Sequence, residues 1–152
     1  MSPRPKSHRL RRGRYSNPGR AYLITTVVHQ RRPLFRDWRL GRLVVAELQQ
    51  IQEQGLANSL AWVLMPDHLH WLLQLHAGTL PQVMQRMKSR STLRINQRLG
   101  LRGAFWQSGY HDRAVRDGED IQHIARYIIA NPLRAGLVRR IGDYPLWDAI
   151  WL

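Results

Sequence analysis

The sequence predicts an α+β protein in which one antiparallel sheet packs against helices. Residues 60–65 and 68–75 are apolar and are separated only by Pro66-Asp67, which is typical of a tight antiparallel hairpin. Residues 21–28 are rich in β-branched side chains and predict a first strand. Segments with helical apolar spacing stand before and after the hairpin. With 152 residues, 43% of them hydrophobic, the chain can build one core around these elements.

The segment after the first strand predicts a helix that begins at Asp37 and stops at Gly55. Asp37 is a suitable N-cap, because its carboxylate accepts hydrogen bonds from free backbone N–H groups. Glycine commonly ends a helix. The apolar positions, which keep helical spacing, are Leu40, Leu43, Val44, Leu48 and Ile51.

A second helix begins at a capping box, in which Thr79 and Gln82 satisfy each other's free N–H groups. Its inner side consists of Leu80, Val83, Met84, Met87, Ile95 and Leu99. Another face carries an arginine at every fourth position, namely Arg86, Arg90, Arg94 and Arg98. This repeat of one charge without acidic partners favours a surface that follows DNA phosphates over a merely solvated face.

The last third of the chain predicts a fourth strand and a third helix. The strand falls within residues 103–115, which include Phe105-Trp106-Gln107. Asp117 is the expected N-cap of the helix, and Pro132 ends the helix near Asn131. The inward side of this helix is Ile121, Ile124, Ala125 and Ile128.

The order strand, helix, strand, strand, helix, strand is the ferredoxin-like split βαβ arrangement, with helices on one face. The third helix and a tail with Tyr144, Trp147 and Trp151 follow it. We expect a basic arm over residues 1–20 and a single domain over residues 21–152.

The charge indicates a nucleic-acid partner. Lys and Arg number 24 against 10 Asp and Glu, which gives a net charge of +14, and all but Lys6 and Lys88 are arginines. Guanidinium groups bind phosphate in a bidentate manner and stack on bases. The expected arm is dense in such groups, which include Arg9, Arg11, Arg12 and Arg14.

Other classes of protein are excluded or disfavoured by composition. Without cysteine there are no disulfides, thiolate zinc sites or cysteine nucleophiles. No apolar run approaches the roughly 20 residues that span a bilayer, and no secretory signal is visible. We expect a cytoplasmic protein with neither a membrane partner nor a small-molecule substrate.

His68 and His70 form a candidate half-site for a divalent cation. Alternate residues of a strand point to one face, so the two imidazoles lie side by side while Leu69 packs on the other face. Paired neutral imidazoles on a rigid strand suit a metal ion. A pair of ordinary surface histidines explains the same spacing.

The third helix presents His123, Tyr127 and Asn131 at four-residue steps, opposite its isoleucine face. Tyr127 is the plausible nucleophile, because cysteine is absent and the serines lack a recognisable base. A phenol can attack a phosphodiester when a metal polarises the phosphate, and the covalent phosphotyrosine then stores the energy of the bond.

The chain resembles the REP-associated tyrosine transposases, a branch of the single-tyrosine HUH endonucleases. The matching segments are Pro18-Gly19-Arg20-Ala21-Tyr22, Met65-Pro66-Asp67-His68-Leu69-His70, Phe105-Trp106-Gln107 and, above all, the block from Tyr127 through Asn131-Pro132 to Val138. Together they span nearly the whole chain.

The resemblance implies that His68 and His70 bind Mg or Mn, that Tyr127 is the nucleophile and that Asn131 is a third metal ligand. It implies transposition and recombination chemistry on single-stranded DNA with small palindromic hairpins, by a monomer or a homodimer. The first strand departs from many relatives, since no histidine occurs in Leu23-Ile24-Thr25-Thr26. We therefore assign no catalytic role there.

Two rival functions remain open. One is a non-catalytic nucleic-acid-binding module whose ferredoxin-like sheet stacks bases. The other is a hydrolytic metal nuclease that uses His68, His70 and His76 without a covalent step. His123 is a further candidate partner of Tyr127 or of DNA, and residues 111–113 are expected to form loop structure.

Overall fold

The computed structural model describes residues 19–151, which form a five-stranded antiparallel sheet in the order β4-β1-β3-β2-β5. The central hairpin is β2 with β3, and β1 pairs with the other edge of β3. The strands are β1 (Ala21–Val27), β2 (Ala57–Met65), β3 (His68–Leu75), β4 (His111–Ala114) and β5 (Trp147–Ala149). The α-helices are α1 (Trp38–Glu53), α2 (Leu80–Leu99), α3 (Ile121–Ile129) and α4 (Asn131–Arg134). Short 3-10 turns lie at His29–Arg31, Leu34–Arg36 and Ile141–Asp143.

The expected ferredoxin-like arrangement is confirmed. The strands β1 and β2 flank β3, and β4 lies outside β1, as the split βαβ order requires. The expected caps of the first two helices are also present, because Asp37 accepts a hydrogen bond from the Arg39 N–H and Thr79 with Gln82 forms the capping box.

Helices cover both faces of the sheet, so the expectation of helices on one face is wrong. The helices α1 and α2 pack on the face that carries Leu69, Trp71 and Leu73. The helix α3 packs its isoleucines on the other face, where Leu72 and Val63 are buried. The uninterrupted apolar run of β3 explains this, because a strand that is apolar on both sides must be covered on both sides.

The third helix begins three residues later than expected. Its N-cap is Asp120 and not Asp117, because the Asp120 carboxylate accepts hydrogen bonds from the N–H groups of Gln122 and His123. The neighbouring Glu119 binds the Arg116 N–H and the Arg113 guanidinium instead. These bonds accompany a turn at Asp117-Gly118, which places Asp117 before the helix and not at its start.

Three further expectations need correction. Residues 111–113 belong to a strand and not to a loop, whereas Phe105 and Trp106 lie before it as buried loop residues. The tail adds β5, which pairs with β2 and extends the sheet. Leu99 is exposed, because α2 ends there, beyond the sheet-facing part of the helix.

Within residues 19–151, no helix is both long enough and apolar enough to cross a membrane.

We predict that Gly41→Ala destabilises the protein although alanine favours helices. A Cβ atom at Gly41 would lie 2.5 Å from Leu146 Cδ1 and 3.1 Å from Leu64 Cδ2, and both leucines are buried. Overpacking of this kind costs about 1–3 kcal/mol, which exceeds the gain in helix propensity of about 1 kcal/mol. Urea unfolding measures the change. The matched control is Gly142→Ala, where a Cβ meets nothing within 4 Å; an equal effect of both substitutions would contradict the packing argument.

Candidate active site

The histidine pair lies at the beginning of β3, on the face that α3 covers in part. His70 pairs across the sheet with Thr25 of β1 and with Val63 of β2. The two imidazole rings are 4.8 Å apart, centroid to centroid, and are nearly perpendicular. The strand period therefore places both rings on one face, as the sequence predicts.

Each imidazole is oriented by a hydrogen bond to its Nδ1 atom. His68 donates from Nδ1 to Asp67 Oδ1 over 2.6 Å, and His70 Nδ1 shares a hydrogen bond of 3.0 Å with Thr25 Oγ1. No residue from 19 to 151 forms a hydrogen bond with either Nε2 atom. At His68 the carboxylate must accept, so the proton lies on Nδ1 and Nε2 is the nitrogen that can bind a metal. At His70 the hydroxyl, which can donate or accept, orients the ring without selecting a tautomer.

Burial and nearby charges also shift the pKa values of Asp67 and His70. Burial alone would raise the pKa of Asp67, but the hydrogen bonds from His68 and Arg31 outweigh it and lower that pKa. Burial, together with the positive charges of His68 and Arg134, lowers the pKa of His70 to about 4. His70 is therefore neutral at physiological pH, which is the form that binds a metal ion.

Tyr127 and Asn131 lie on the helical side of the same site, and Arg134 contacts both. The Tyr127 side chain is 61% exposed, so its hydroxyl is open to a substrate. The Arg134 guanidinium stacks 3.9 Å from the centre of the Tyr127 ring, and its Nη2 atom donates to Asn131 Oδ1 over 2.9 Å. The same nitrogen donates to the Tyr127 carbonyl oxygen. The helix α3 packs on the sheet face that carries the histidines, so these helical residues and the histidine pair lie on the same side of the sheet.

The donors at this site fit a divalent cation. His68 and His70 offer imidazole nitrogens and Asn131 offers an amide oxygen, which accepts from Arg134, and such a mixed set suits first-row divalent ions. No cluster of three His, Cys, Asp or Glu side chains that could hold a metal occurs within residues 19–151. The role of Asn131 as a third ligand stays a prediction.

The arginine stripe of α2 is not part of this site, because α2 packs on the opposite face of the sheet. The expectation that these arginines have no acidic partners is wrong. The buried Glu47 of α1 binds Arg90 Nε at 3.1 Å, and its other oxygen lies 2.8 Å from Arg94 Nε as an ion pair rather than an aligned hydrogen bond. A role in DNA binding stays a prediction for Arg86, Arg90, Arg94 and Arg98.

Other predicted residues are placed differently. His123 is exposed on α3, one turn before Tyr127. His76 follows the far end of β3 and is not brought to the histidine pair, which removes the third ligand of the hydrolytic alternative. Arg9, Arg11, Arg12 and Arg14 lie outside the described residues.

Sequence reasoning missed the residues that orient the site, namely Thr25, Asp67 and Arg134. Thr25 could have been found only from the register of β1 on β3. Arg134 lies seven residues after Tyr127, and an arginine at that spacing carries no recognisable signal by itself.

Comparison with known proteins identifies the family of the chain. The chain matches the family described as "Transposase IS200 like" over residues 19–131. A REP-associated tyrosine transposase of Escherichia coli K12 is 31% identical over 88 residues, which are 56% of this chain and 50% of that protein. A provisionally assigned protein of the same name from Haemophilus influenzae is 22% identical over 138 residues, which are 84% of this chain and 78% of that protein.

A solved structure of a REP-associated tyrosine transposase bound to a REP hairpin has the same fold, with a TM-score of 0.71 at 23% identity. The superposition covers 88% of this chain and 79% of that chain.

The chain therefore belongs to the IS200-like transposase family. Its resemblance to the REP-associated tyrosine transposases is confirmed by the relatives. The match to the E. coli relative spans only half the length of that protein.

We predict that the metal-free protein loses stability as the pH falls from about 6.5 to about 4, in part because of His70. In that window the unfolded chain protonates this imidazole, whereas the folded chain keeps it neutral. Integrated over the window, the difference is worth about 3 kcal/mol. Urea unfolding of the wild type and of His70→Asn across this range measures it. The variant should show a shallower pH dependence, and equal slopes would contradict a neutral His70.

Proposed function

We propose that this protein nicks and rejoins single-stranded DNA beside small hairpins, through a covalent 5′-phosphotyrosine at Tyr127. The observation that carries the proposal is Arg134, which contacts Tyr127 and Asn131 and whose charge acts on His70. The exposed phenol and this cation lie on the same side of the sheet as the two oriented imidazoles, which supports the proposal. The names of the relatives support a hairpin-bearing DNA substrate.

In the proposed reaction the Tyr127 oxygen forms a bond to phosphorus, and the bond from phosphorus to the 3′ oxygen breaks. The leaving strand then ends in a 3′-OH, and over the whole step the phenol proton takes the place of phosphorus on that oxygen. The phosphotyrosine keeps the energy of the phosphodiester, so attack by a 3′-OH can reverse the step.

Each residue of the site has a separate role in the proposed reaction. His68, His70 and Asn131 would hold Mg or Mn, which supplies positive charge for the developing charge on the phosphate. Thr25 and Asp67 keep the two imidazoles in the orientation that exposes Nε2. Arg134 holds the Tyr127 ring and places a positive charge 3.9 Å from the centre of that ring.

Arginines outside the site have a part in the proposal as contacts for the DNA strand. The arginines of the arm and of α2 would hold the DNA on either side of the site. A DNA substrate is consistent with the cytoplasmic location expected from the sequence.

Tyr127→Phe should abolish both nicking and covalent capture of a single-stranded hairpin DNA in the presence of Mn²⁺. The substitution keeps the ring that Arg134 covers and removes only the attacking oxygen, so thermal stability and DNA affinity should hardly change. Denaturing gels that resolve nicked DNA and the protein–DNA adduct measure the outcome. Tyr110→Phe is the control, since Tyr110 packs against the core of the opposite face and its loss should leave both products in place. Nicking by the Tyr127→Phe variant would favour the hydrolytic nuclease, and no nicking by the wild type would favour the binding module.

Replacing residues 1–14 with a Gly/Ser segment of equal length should weaken DNA binding and make the dependence of log affinity on log salt shallower. Each lost phosphate contact removes about one unit of slope or somewhat less. Fluorescence anisotropy at several salt concentrations gives the slope for both proteins. An unchanged slope would show that the arm does not contact DNA.

A further inference from the structure

The Arg134 side chain uses only part of its hydrogen-bonding capacity. Its Nη2 atom makes both of its hydrogen bonds, one to Asn131 Oδ1 and one to the Tyr127 carbonyl oxygen. Its Nη1 and Nε atoms form no hydrogen bond with any residue from 19 to 151. A guanidinium carries five N–H donors in a flat fork, so an edge that suits the oxygens of a phosphate remains open beside the Tyr127 ring.

The position of Arg134 opposes the binding of a metal ion. A divalent cation held by Asn131 would share the oxygen Oδ1 with the guanidinium, which already lies 2.9 Å from it. Two positive charges a few ångströms apart repel each other even where solvent reaches them.

We propose that Arg134 makes metal binding at His68, His70 and Asn131 depend on the DNA phosphate. This inference rests on the proposed function and identifies how its site is assembled. Without DNA the guanidinium beside Asn131 repels the cation. When a phosphodiester lies against the open edge of Arg134, its negative charge offsets the repulsion. The metal site therefore reaches full affinity only when DNA is bound next to Tyr127.

The direction of this effect separates it from a structural role. If Arg134 merely oriented Asn131 as a ligand, its loss would weaken metal binding. As a source of repulsion, its loss must strengthen metal binding in the absence of DNA. A variant that folds poorly cannot imitate that gain.

The first test measures Mn²⁺ affinity by calorimetry without DNA, at one low ionic strength. Arg134→Gln should bind Mn²⁺ about tenfold more tightly than the wild type, a coupling of ordinary size between neighbouring sites. The control is Arg126→Gln, which removes the same charge from an exposed position on α3, where Arg126 binds only Gln122 among the described residues. It should keep the wild-type affinity. Equal affinity of the two variants, or weaker binding by Arg134→Gln, overturns the proposal.

The second test adds saturating oligothymidylate to proteins that also carry Tyr127→Phe, so that no strand is cut. The DNA should raise the Mn²⁺ affinity of Tyr127→Phe by a larger factor than that of the Arg134→Gln double variant. The same factor in both proteins overturns the proposal. Neither test uses strand cleavage, so a failure here is distinct from a failure to find phosphotyrosine.

Discussion

The register of β3 between β1 and β2 is the constraint on which the rest of the structure depends. It places Thr25 opposite His70, where the hydroxyl can bind Nδ1. It also places Val63 beside the same histidine, within the apolar surface on which α3 packs. A slip of one residue would turn both imidazoles to the opposite face and bury them beneath α1 and α2. The sheet therefore fixes which side of the molecule carries the site.

The helix α3 brings the second half of the site to that side. Its isoleucine face is buried against the sheet, which leaves Tyr127 outward and accessible. The short helix α4 begins after Ala130 and places the Arg134 side chain against the last turn of α3. Arg134 thus satisfies a carbonyl near the end of α3 and holds the Tyr127 ring with one group. The end of α3 and the position of the Tyr127 ring are therefore linked through Arg134.

Local patterns in the sequence predict the elements well and their assembly less well. The hairpin, the caps at Asp37 and Thr79 and the strand period at His68 depend on neighbouring residues, and the structure agrees with each. The covering of both faces and the addition of β5 depend on contacts between distant segments. The same holds for Glu47, which neutralises part of an arginine stripe from another helix. The choice of Asp120 over Asp117 was a competition between two suitable caps, decided by the bonds that Glu119 makes nearby.

For the candidate site, the sequence points to candidate reacting groups but not to the residues that orient them. His68, His70, Tyr127 and Asn131 carry chemistry that their residue types make visible. Thr25 and Arg134 have common residue types, and only the folded arrangement gives them a part in the site. The most direct test of the account is mass spectrometry of the protein after incubation with single-stranded hairpin DNA and Mn²⁺. One modified peptide is expected, with a nucleotide joined through its 5′ phosphate to Tyr127. A nucleotide on any other residue, or cleaved DNA without any adduct, would contradict it.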